Sequence, residues 1–359
     1  MKNLLIHSEN LTALNDLLLN KKLAGRIDLV YIDPPFSTGS VFSITNGRAA
    51  TISSSKAGEV AYRDLITGND FICFLKERLV LLWQLLSRQG SIYVHIDYKV
   101  GHYVKILMDD IFGPANFRND ITRIKCNPKN FKRIGYGNIK DMILFYTKSA
   151  KPIWNEPYQD YTDEDLRVLF PKVSKDGRRY TTVPLHAPGE TISGDSNKPF
   201  RGMNPPIGRH WRTDVAAMEL WDAQGRIEWS KTGNPRKIIY ADEQIGKRRQ
   251  DIWDFKDPQY PDYPTEKNLD LLELIIKTSS NEGSTVLDCF CGSGTTLLAA
   301  QKNNRNWIGI DQSDLAIKAI RKKLASYDFD LFSSTESYDY QDLAMPSQDL
   351  DTLQKVFPG

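Results

Sequence analysis

Val286-Leu287-Asp288-Cys289-Phe290-Cys291-Gly292-Ser293-Gly294-Thr295-Thr296 runs from an apolar stretch through a Gly-x-Gly turn into residues of helical character. A strand over 285–290 therefore feeds the turn and a helix over 295–302 leaves it. Glycines at 292 and 294 let the backbone turn tightly and let a ligand approach main-chain N–H groups at the helix N-terminus. Gly-x-Gly alone fits a dinucleotide fingerprint or a plain strand–helix turn. Three details narrow the choice. Leu297 stands where a dinucleotide site would place its third glycine. Asp288 precedes the turn. Asp311 ends the next strand, 307–311, where it could accept both hydroxyls of an unphosphorylated ribose.

Outward from this stretch, the chain alternates apolar strands with amphipathic helices. Helices are expected over 269–277 and 315–325 on the C-terminal side. On the N-terminal side an apolar run at 3–6 precedes a helix over 11–19, and a strand over 28–32 ends in Asp33-Pro34-Pro35. Phe71, Leu75, Leu79, Leu82 and Leu86 share one helical stripe, followed by a buried strand at 91–96 and β-rich runs at 120–125 and 142–147. Strands separated by helices predict a parallel α/β sheet of Rossmann-like type. Between about 150 and 255 that rhythm is lost. Pro, Gly, charge and five of the seven tryptophans (Trp154, Trp211, Trp221, Trp229, Trp253) collect there, which predicts an inserted, mixed β-rich domain with the tryptophans mostly in its core. The expected organisation is 1–148 and 256–326 as two halves of one sheet domain, 149–255 as the insertion, and 327–359 as a loosely attached acidic tail. Ser37 to Tyr62, rich in small residues, reads as a mobile loop able to close over a site.

With 359 residues, 40% of them hydrophobic, the chain can bury a sizeable core, which excludes disordered and disulfide-scaffold classes. No apolar run of about 18 residues is present to cross a membrane. The N-terminus turns polar too soon for a signal peptide. Cys73, Cys126, Cys289 and Cys291 form no Cys-x-x-Cys pair and have no histidine companions. Free thiols in a reducing cytoplasm, and no metal site, are expected. The net charge of +2 conceals a segregation: residues 120–255 hold 24 basic against 18 acidic side chains, whereas 327–359 hold 1 against 7. A polyanion-binding surface is therefore sought in the middle of the chain.

The second chemical motif, Asp33-Pro34-Pro35-Phe36, also ends a strand. Two prolines remove two backbone donors and stiffen the chain. Acceptors remain, the Asp33 carboxylate and the Pro34 carbonyl, with an aromatic face beside them. Such a site suits an amine that donates two hydrogen bonds from a flat ring stacked on Phe36. Held this way, the nitrogen lone pair is directed out of conjugation and can attack an electrophilic methyl group. Asp-Pro-Pro is also an ordinary turn.

Together, Asp33-Pro34-Pro35-Phe36 and Phe290-x-Gly292-x-Gly294-Thr295 resemble the motif pair of S-adenosylmethionine-dependent DNA amino-methyltransferases. Supporting text lies at Asn3-Leu4-Leu5-Ile6, Ser91-Ile92-Tyr93-Val94-His95-Ile96-Asp97, Ile111-Phe112-Gly113, Met142-Ile143-Leu144-Phe145-Tyr146 and Pro264-Thr265-Glu266-Lys267. The catalytic motif comes first and the cofactor motif last, a permuted order similar to the β class of that family, which includes type II and type III modification enzymes. The resemblance covers roughly 1–148 and 256–325. It implies a class I methyltransferase sheet with an inserted target-recognition domain. Asp33, Pro34 and Phe36 would grip a flipped base, with Pro35 shaping that turn. Asp33, Lys267, Asp288, Phe290, Gly292, Gly294 and Thr295 would surround the cofactor, with Asp311 on its ribose and Glu9 on its adenine. Ser8-Glu9-Asn10 stands where the family often has Gly-Asp-Asn, Asn268 where it often has proline, and Phe36 where tyrosine is usual.

Asp at the head of the catalytic motif implies adenine-N6 as the acceptor, since cytosine-N4 enzymes usually carry Ser there. The alternatives are a cytosine-N4 enzyme, an RNA or protein methyltransferase, a non-catalytic DNA-binding partner, and a nicotinamide-dependent dehydrogenase, which the missing third glycine opposes. Double-stranded DNA is the implied partner; a homodimer is common in the class, and an orphan enzyme and one paired with a separate restriction endonuclease both stay open. Candidate phosphate contacts are Lys129, Lys132 and Arg133 around Phe131, Arg178 with Arg179, and Lys247-Arg248-Arg249. His95 and Asp97 read as structural support for a sheet edge.

Overall fold

Leu29 and Tyr31 enter one apolar layer while Val30 and Ile32 enter another. A continuous apolar run demands this of a strand covered on both faces. The computed structural model describes residues 2–35, 41–45, 48–51, 59–63, 69–128, 132, 134–191, 194–259, 261, 263, 266–327 and 338–343. The described chain divides into two units, residues 1–157 with 250–359, and Tyr158–Arg249.

The first unit is built on a nine-stranded sheet. Its strands are β1 (Asn3–His7), β2 (Ile27–Ile32), β3 (Leu86–Ile96), β4 (Phe117–Ile124), β5 (Lys140–Thr147), β6 (Ile252–Asp254), β7 (Thr285–Asp288), β8 (Asn306–Asp311) and β9 (Tyr338–Asp342). They lie in the order β6-β4-β5-β3-β2-β7-β8-β1-β9. All pairings are parallel except those of β5, which runs against both β3 and β4. Helices α1 (Asn10–Leu19), α2 (Asn69–Leu85) and α3 (Gly101–Phe112) supply the apolar layer on one face. Helices α4 (Leu269–Ser279), α5 (Thr295–Lys302) and α6 (Asp314–Tyr327) cover the other. β2 and β7, from opposite ends of the chain, are neighbours, and the ends of β2, β7 and β8 open on one edge. In open α/β sheets, ligands bind at that carboxyl edge.

The second unit is mixed. Strands Lys172–Val173, Arg179–Pro184, Pro235–Tyr240 and Ile227–Trp229 form an antiparallel sheet, with short helices Asp163–Leu169 and Val215–Ala223. Its core gathers Leu185, Phe200, Trp211 and Met218.

Several expectations need correction. The stretch from Ser37 to Tyr62, read as a loop, contains a three-stranded antiparallel sheet formed by Val41–Thr45, Arg48–Thr51 and Glu59–Arg63. Alternation at Phe42/Ile44 and Val60/Tyr62 is the period-2 signal that the small residues between them obscured. The tail is not wholly loose. Tyr338 packs on Trp307 with ring centroids 5.4 Å apart, Lys2 pairs with Asp339, and the Arg321 guanidinium lies 4.2 Å from the Tyr340 ring centre. Backbone pairing with β1 and this packing outweigh the local excess of acid. Nor are the tryptophans one group: Trp253 belongs to the main sheet, and Trp154 and Trp229 are only partly covered, by Phe145 and Phe200 respectively. No described helix is long and apolar enough to cross a membrane.

Candidate active site

The turn after β7 is held from β8. Asp311 Oδ2 accepts from the Gly292 N–H at 2.8 Å, and Oδ1 accepts from the Ser313 N–H at 2.9 Å. Gly292 (φ 48°) and Gly294 (φ 75°) both take left-handed backbone. A Cβ on Gly294 would sit 2.8 Å from Ile320 of α6, so the turn can close against that helix only with glycine there. Thr295 opens α5, and its hydroxyl meets Ser293 Oγ at 2.8 Å and accepts from Lys323 Nζ at 3.0 Å. Asp288 is buried and accepts from the Phe290 N–H at 2.9 Å. Burial pushes its carboxyl up to about 7, the charges of Asp33 and Asp311 adding to the effect. Burial also raises Asp311, against the opposing pull of its backbone donors. Carboxylates gathered in so little water favour a cationic ligand.

The opposite wall comes from α1 and α2. Arg78 is buried, with Nε donating to Asn10 Oδ1 at 2.5 Å, Nη1 to the Phe74 carbonyl at 2.7 Å and Nη2 to Glu9 Oε1 at 2.5 Å. Its guanidinium stacks 3.5 Å from the centre of the Phe74 ring, which tilts against Phe290 at 6.1 Å. Asn10 Nδ2 in turn donates to the Cys289 carbonyl at 3.2 Å. Glu9 Oε2 caps α1 through the Thr12 N–H at 3.0 Å. Burial opposes ionisation of Glu9, but its backbone donors and Arg78 bring it below the ordinary carboxylate range. Arg78 escaped the sequence reading, although its place beside Leu75, Leu79 and Leu82 on a buried helical stripe was the available signal.

At the end of β2, Asp33 makes an ion pair through Oδ2 with Lys267. Its other oxygen, Oδ1, is buried and has no hydrogen-bond partner among the described residues. Pro34 is buried beside it and Pro35 half-buried. The motif thus presents one held oxygen and one open oxygen. An open buried acceptor is costly unless something donates to it, so it points to a donor-bearing ligand. Phe36 lies outside the described residues.

The basic clusters fare differently from one another. Lys129 and Arg133 lie outside the described residues, and Lys132 is exposed. In the second unit Arg178 pairs with Asp242 and Glu243 and stacks 3.9 Å from the Tyr240 ring centre. Lys247 pairs with Asp165 at 2.6 Å, and Arg179 donates to the Phe170 carbonyl at 3.4 Å. Arg248 is exposed and Arg249 half-buried. Asp33, Lys267, Asp288, Phe290, Gly292, Gly294, Thr295, Asp311 and Glu9 all belong to the first unit. Among the described residues no three His, Cys, Asp or Glu side chains gather as metal ligands would.

A family model described as DNA methylase matches residues 27–322. The type II methyltransferase M.EcaI of Enterobacter cloacae is 40% identical over 331 residues, covering 90% of this chain and 70% of that protein. The EcoPI Mod subunit of a type III restriction-modification enzyme of Escherichia phage P1 is 26% identical, and the match spans 58% of its length. The chain covers about half of the HindVI Mod subunit of Haemophilus influenzae. Among solved structures, the cytosine-N4-specific PvuII DNA methyltransferase superposes with a TM-score of 0.51 at 12% identity, covering 96% of this chain and 97% of its own, a likeness of fold alone.

Proposed function

This chain belongs to the N6/N4 DNA methylase family, and from that premise we propose that it methylates the N6 amino group of an adenine flipped out of double-stranded DNA. Membership carries methyl transfer to DNA on a class I methyltransferase sheet, a restriction–modification setting, and S-adenosylmethionine as the donor. That donor supplies an electrophilic methyl group on a cationic sulfur. Asp288 and Asp311, both raised by burial, are the residues whose charge a cation relieves. Gly292 and Gly294 supply the left-handed backbone of the turn at the α5 N-terminus, and Gly294 lets that turn pack on Ile320. Phe290 and the Arg78–Glu9–Asn10 wall bound the opposite side.

The observation that carries the acceptor reading is the open Oδ1 of Asp33 beside Pro34. An exocyclic amine has two N–H groups. One would donate to Asp33 Oδ1 and the other to the Pro34 carbonyl, leaving the lone pair free to point at the methyl carbon. Asp33 then stands as first acceptor for the proton the nitrogen must shed. No metal and no covalent enzyme intermediate enter, so the protein's contribution is orientation and electrostatics. A base inside a duplex cannot reach such a pocket, and extruding it costs about a few kcal/mol.

The unit Tyr158–Arg249 serves in this reading as the target-recognition domain; Arg248 within it and Lys132 in the first unit are the exposed candidates for phosphate contact. A cytoplasmic location fits the same reading, which is compatible with a dimer and with either an orphan enzyme or one that has a companion endonuclease. The test is transfer of labelled methyl from S-adenosylmethionine to duplex DNA, RNA and protein, followed by nucleoside separation. N6-methyladenine from duplex DNA is the expected product. N4-methylcytosine would refute the adenine assignment, and label on RNA or protein alone would refute the duplex-DNA substrate.

A further inference from the structure

Beneath the catalytic motif lies a buried polar chain that methyl transfer as described does not use. Tyr31, two residues before Asp33 on the same face of β2, brings its hydroxyl 2.8 Å from His95 Nδ1. His95 Nε2 lies 3.3 Å from Asp141 Oδ2. His95 is fully buried, and Asp141 and Tyr31 are nearly so. A carboxylate only accepts, so His95 donates from Nε2 to Asp141 and accepts at Nδ1 from the Tyr31 hydroxyl. Asp141 is anchored from its other side by Lys125 Nζ at 2.6 Å and by Arg123 Nη1 at 3.7 Å.

Register ties this chain to the reacting carboxylate. Tyr31 pairs with Tyr93 and Ile32 with Val94, so the next step along β2 and β3 sets Asp33 beside His95. A second tie runs the other way round. Arg123, fully buried, donates from Nε to the Phe255 carbonyl at 2.8 Å and pairs through Nη2 with Asp257. Phe255 and Asp257 begin the segment that leads to Lys267, the cation on Asp33 Oδ2. One network therefore grips both the strand that carries Asp33 and the segment that carries its counter-ion. Buried ionic groups of this kind seldom repay their desolvation in stability, and well-packed apolar side chains would serve a sheet as well or better. What they supply is a fixed geometry. Asp33 needs one, because an open buried oxygen would otherwise relax toward the nearest donor.

We propose that His95, bridging Tyr31 and Asp141, is a positioning residue that fixes the open oxygen of Asp33 for the incoming amine. The proposal rests on the methyl-transfer reading and adds to it a residue that touches neither base nor donor. Tyr31→Phe keeps the ring and removes only the hydroxyl. It is expected to lower kcat for DNA methylation at least about tenfold, because small displacements of a reacting group are expensive. KM for S-adenosylmethionine should stay close to wild type, and the melting temperature should fall by only a few degrees, the cost of leaving His95 Nδ1 without its donor. His95→Leu should lose more. His95→Asn, which retains an acceptor facing Tyr31 where Nδ1 stood, should recover part of what His95→Leu loses. Folded Tyr31→Phe and His95→Leu proteins with wild-type kcat would overturn the proposal. So would a loss confined to KM, or one that disappears at a temperature where the variants are fully folded. A wild-type chain that methylates no DNA in the same assay would instead sink the methyltransferase reading beneath it.

Discussion

Two acids at strand ends on one edge of the sheet, with β7 between their strands, do opposite things with their oxygens. Asp311 spends both, on the N–H groups of Gly292 and Ser313. Asp33 ties one oxygen to Lys267 and leaves the other open and buried. A carboxylate whose oxygens both hold backbone shapes a pocket, and serves a ligand through its remaining lone pairs. A carboxylate with an open buried oxygen is built for a donor that arrives later. The same side chain at equivalent places in one sheet thus divides into a scaffold acid and a working acid, and the division lies in hydrogen-bond satisfaction, not in residue type.

The sharpest way to break this contrast is to remove each acid in turn. Asp33→Ala is expected to reduce kcat by roughly 10²–10³, the scale of losing one group that orients and stabilises the reacting centre. Cofactor affinity should stay near wild type in equilibrium dialysis. Equal loss of turnover and cofactor binding would erase the distinction. Asp311→Ala should do the reverse in part. It orphans two N–H groups, at about 1–3 kcal/mol for each that stays buried. The turn loosens, and cofactor affinity is expected to fall about 10- to 100-fold, at roughly 1.4 kcal/mol per decade. An Asp311→Ala protein that binds the cofactor normally would show that the turn does not depend on β8.

A third acid, Asp288, sharpens the comparison through pH. Its carboxyl, lifted by burial to about 7, takes up a proton as pH falls through neutrality. The folded free protein holds that proton where the unfolded chain has released it. This group therefore contributes stability below its unfolded range near pH 4 that is lost as pH rises toward 7. A cationic donor prefers the ionised form, so its affinity should weaken by up to about tenfold per pH unit below 7. Asp288→Asn should flatten both curves, measured by thermal melts of the free protein and by cofactor titration between pH 5.5 and 8. A cofactor affinity independent of pH in the wild type would remove Asp288 from the cofactor's surroundings.

Legibility in the sequence followed the range of the interaction. The strand–turn–helix at Gly292–Gly294 could be read because glycine, apolar run and helical stripe lie within a few residues of one another. Asp33-Pro34-Pro35 was equally local. Arg78, Asn10 and Cys289 meet only after α1, α2 and β7 are folded together, and nothing near Arg78 in the chain announces Cys289. The Tyr31–His95–Asp141 bridge is hidden for the same reason, spread over three strands, so that His95 could be placed at a sheet edge without its two partners. Strand β9 was masked differently. Its residues alternate weakly and carry acid, and what makes it a strand is pairing with β1 and packing on Trp307, with Lys2 on Asp339, all of them more than thirty residues away in the chain.

Charge was the least legible feature, and the smallest predicted effect probes it. Lys132, Arg178 and Lys247 looked alike as letters. Arg178 and Lys247 are committed to carboxylates within their own unit, whereas no carboxylate among the described residues pairs with Lys132. The position of Lys132 also differs. Pairing of Ile96 with Met142 and of Ile124 with Lys140 puts the β4–β5 connection on the edge of the sheet where Asp33 lies. A cation that releases DNA counterions contributes about one unit to the slope of log K against log salt. Lys132→Gln should therefore flatten that slope by nearly one and weaken DNA binding a few-fold at low salt. Arg178→Gln should leave the slope unchanged, because its charge is already spent on Asp242 and Glu243. A larger change for Arg178 than for Lys132 would mean that DNA breaks the Arg178 ion pairs, and that the second unit meets the backbone with side chains that are paired in the free protein.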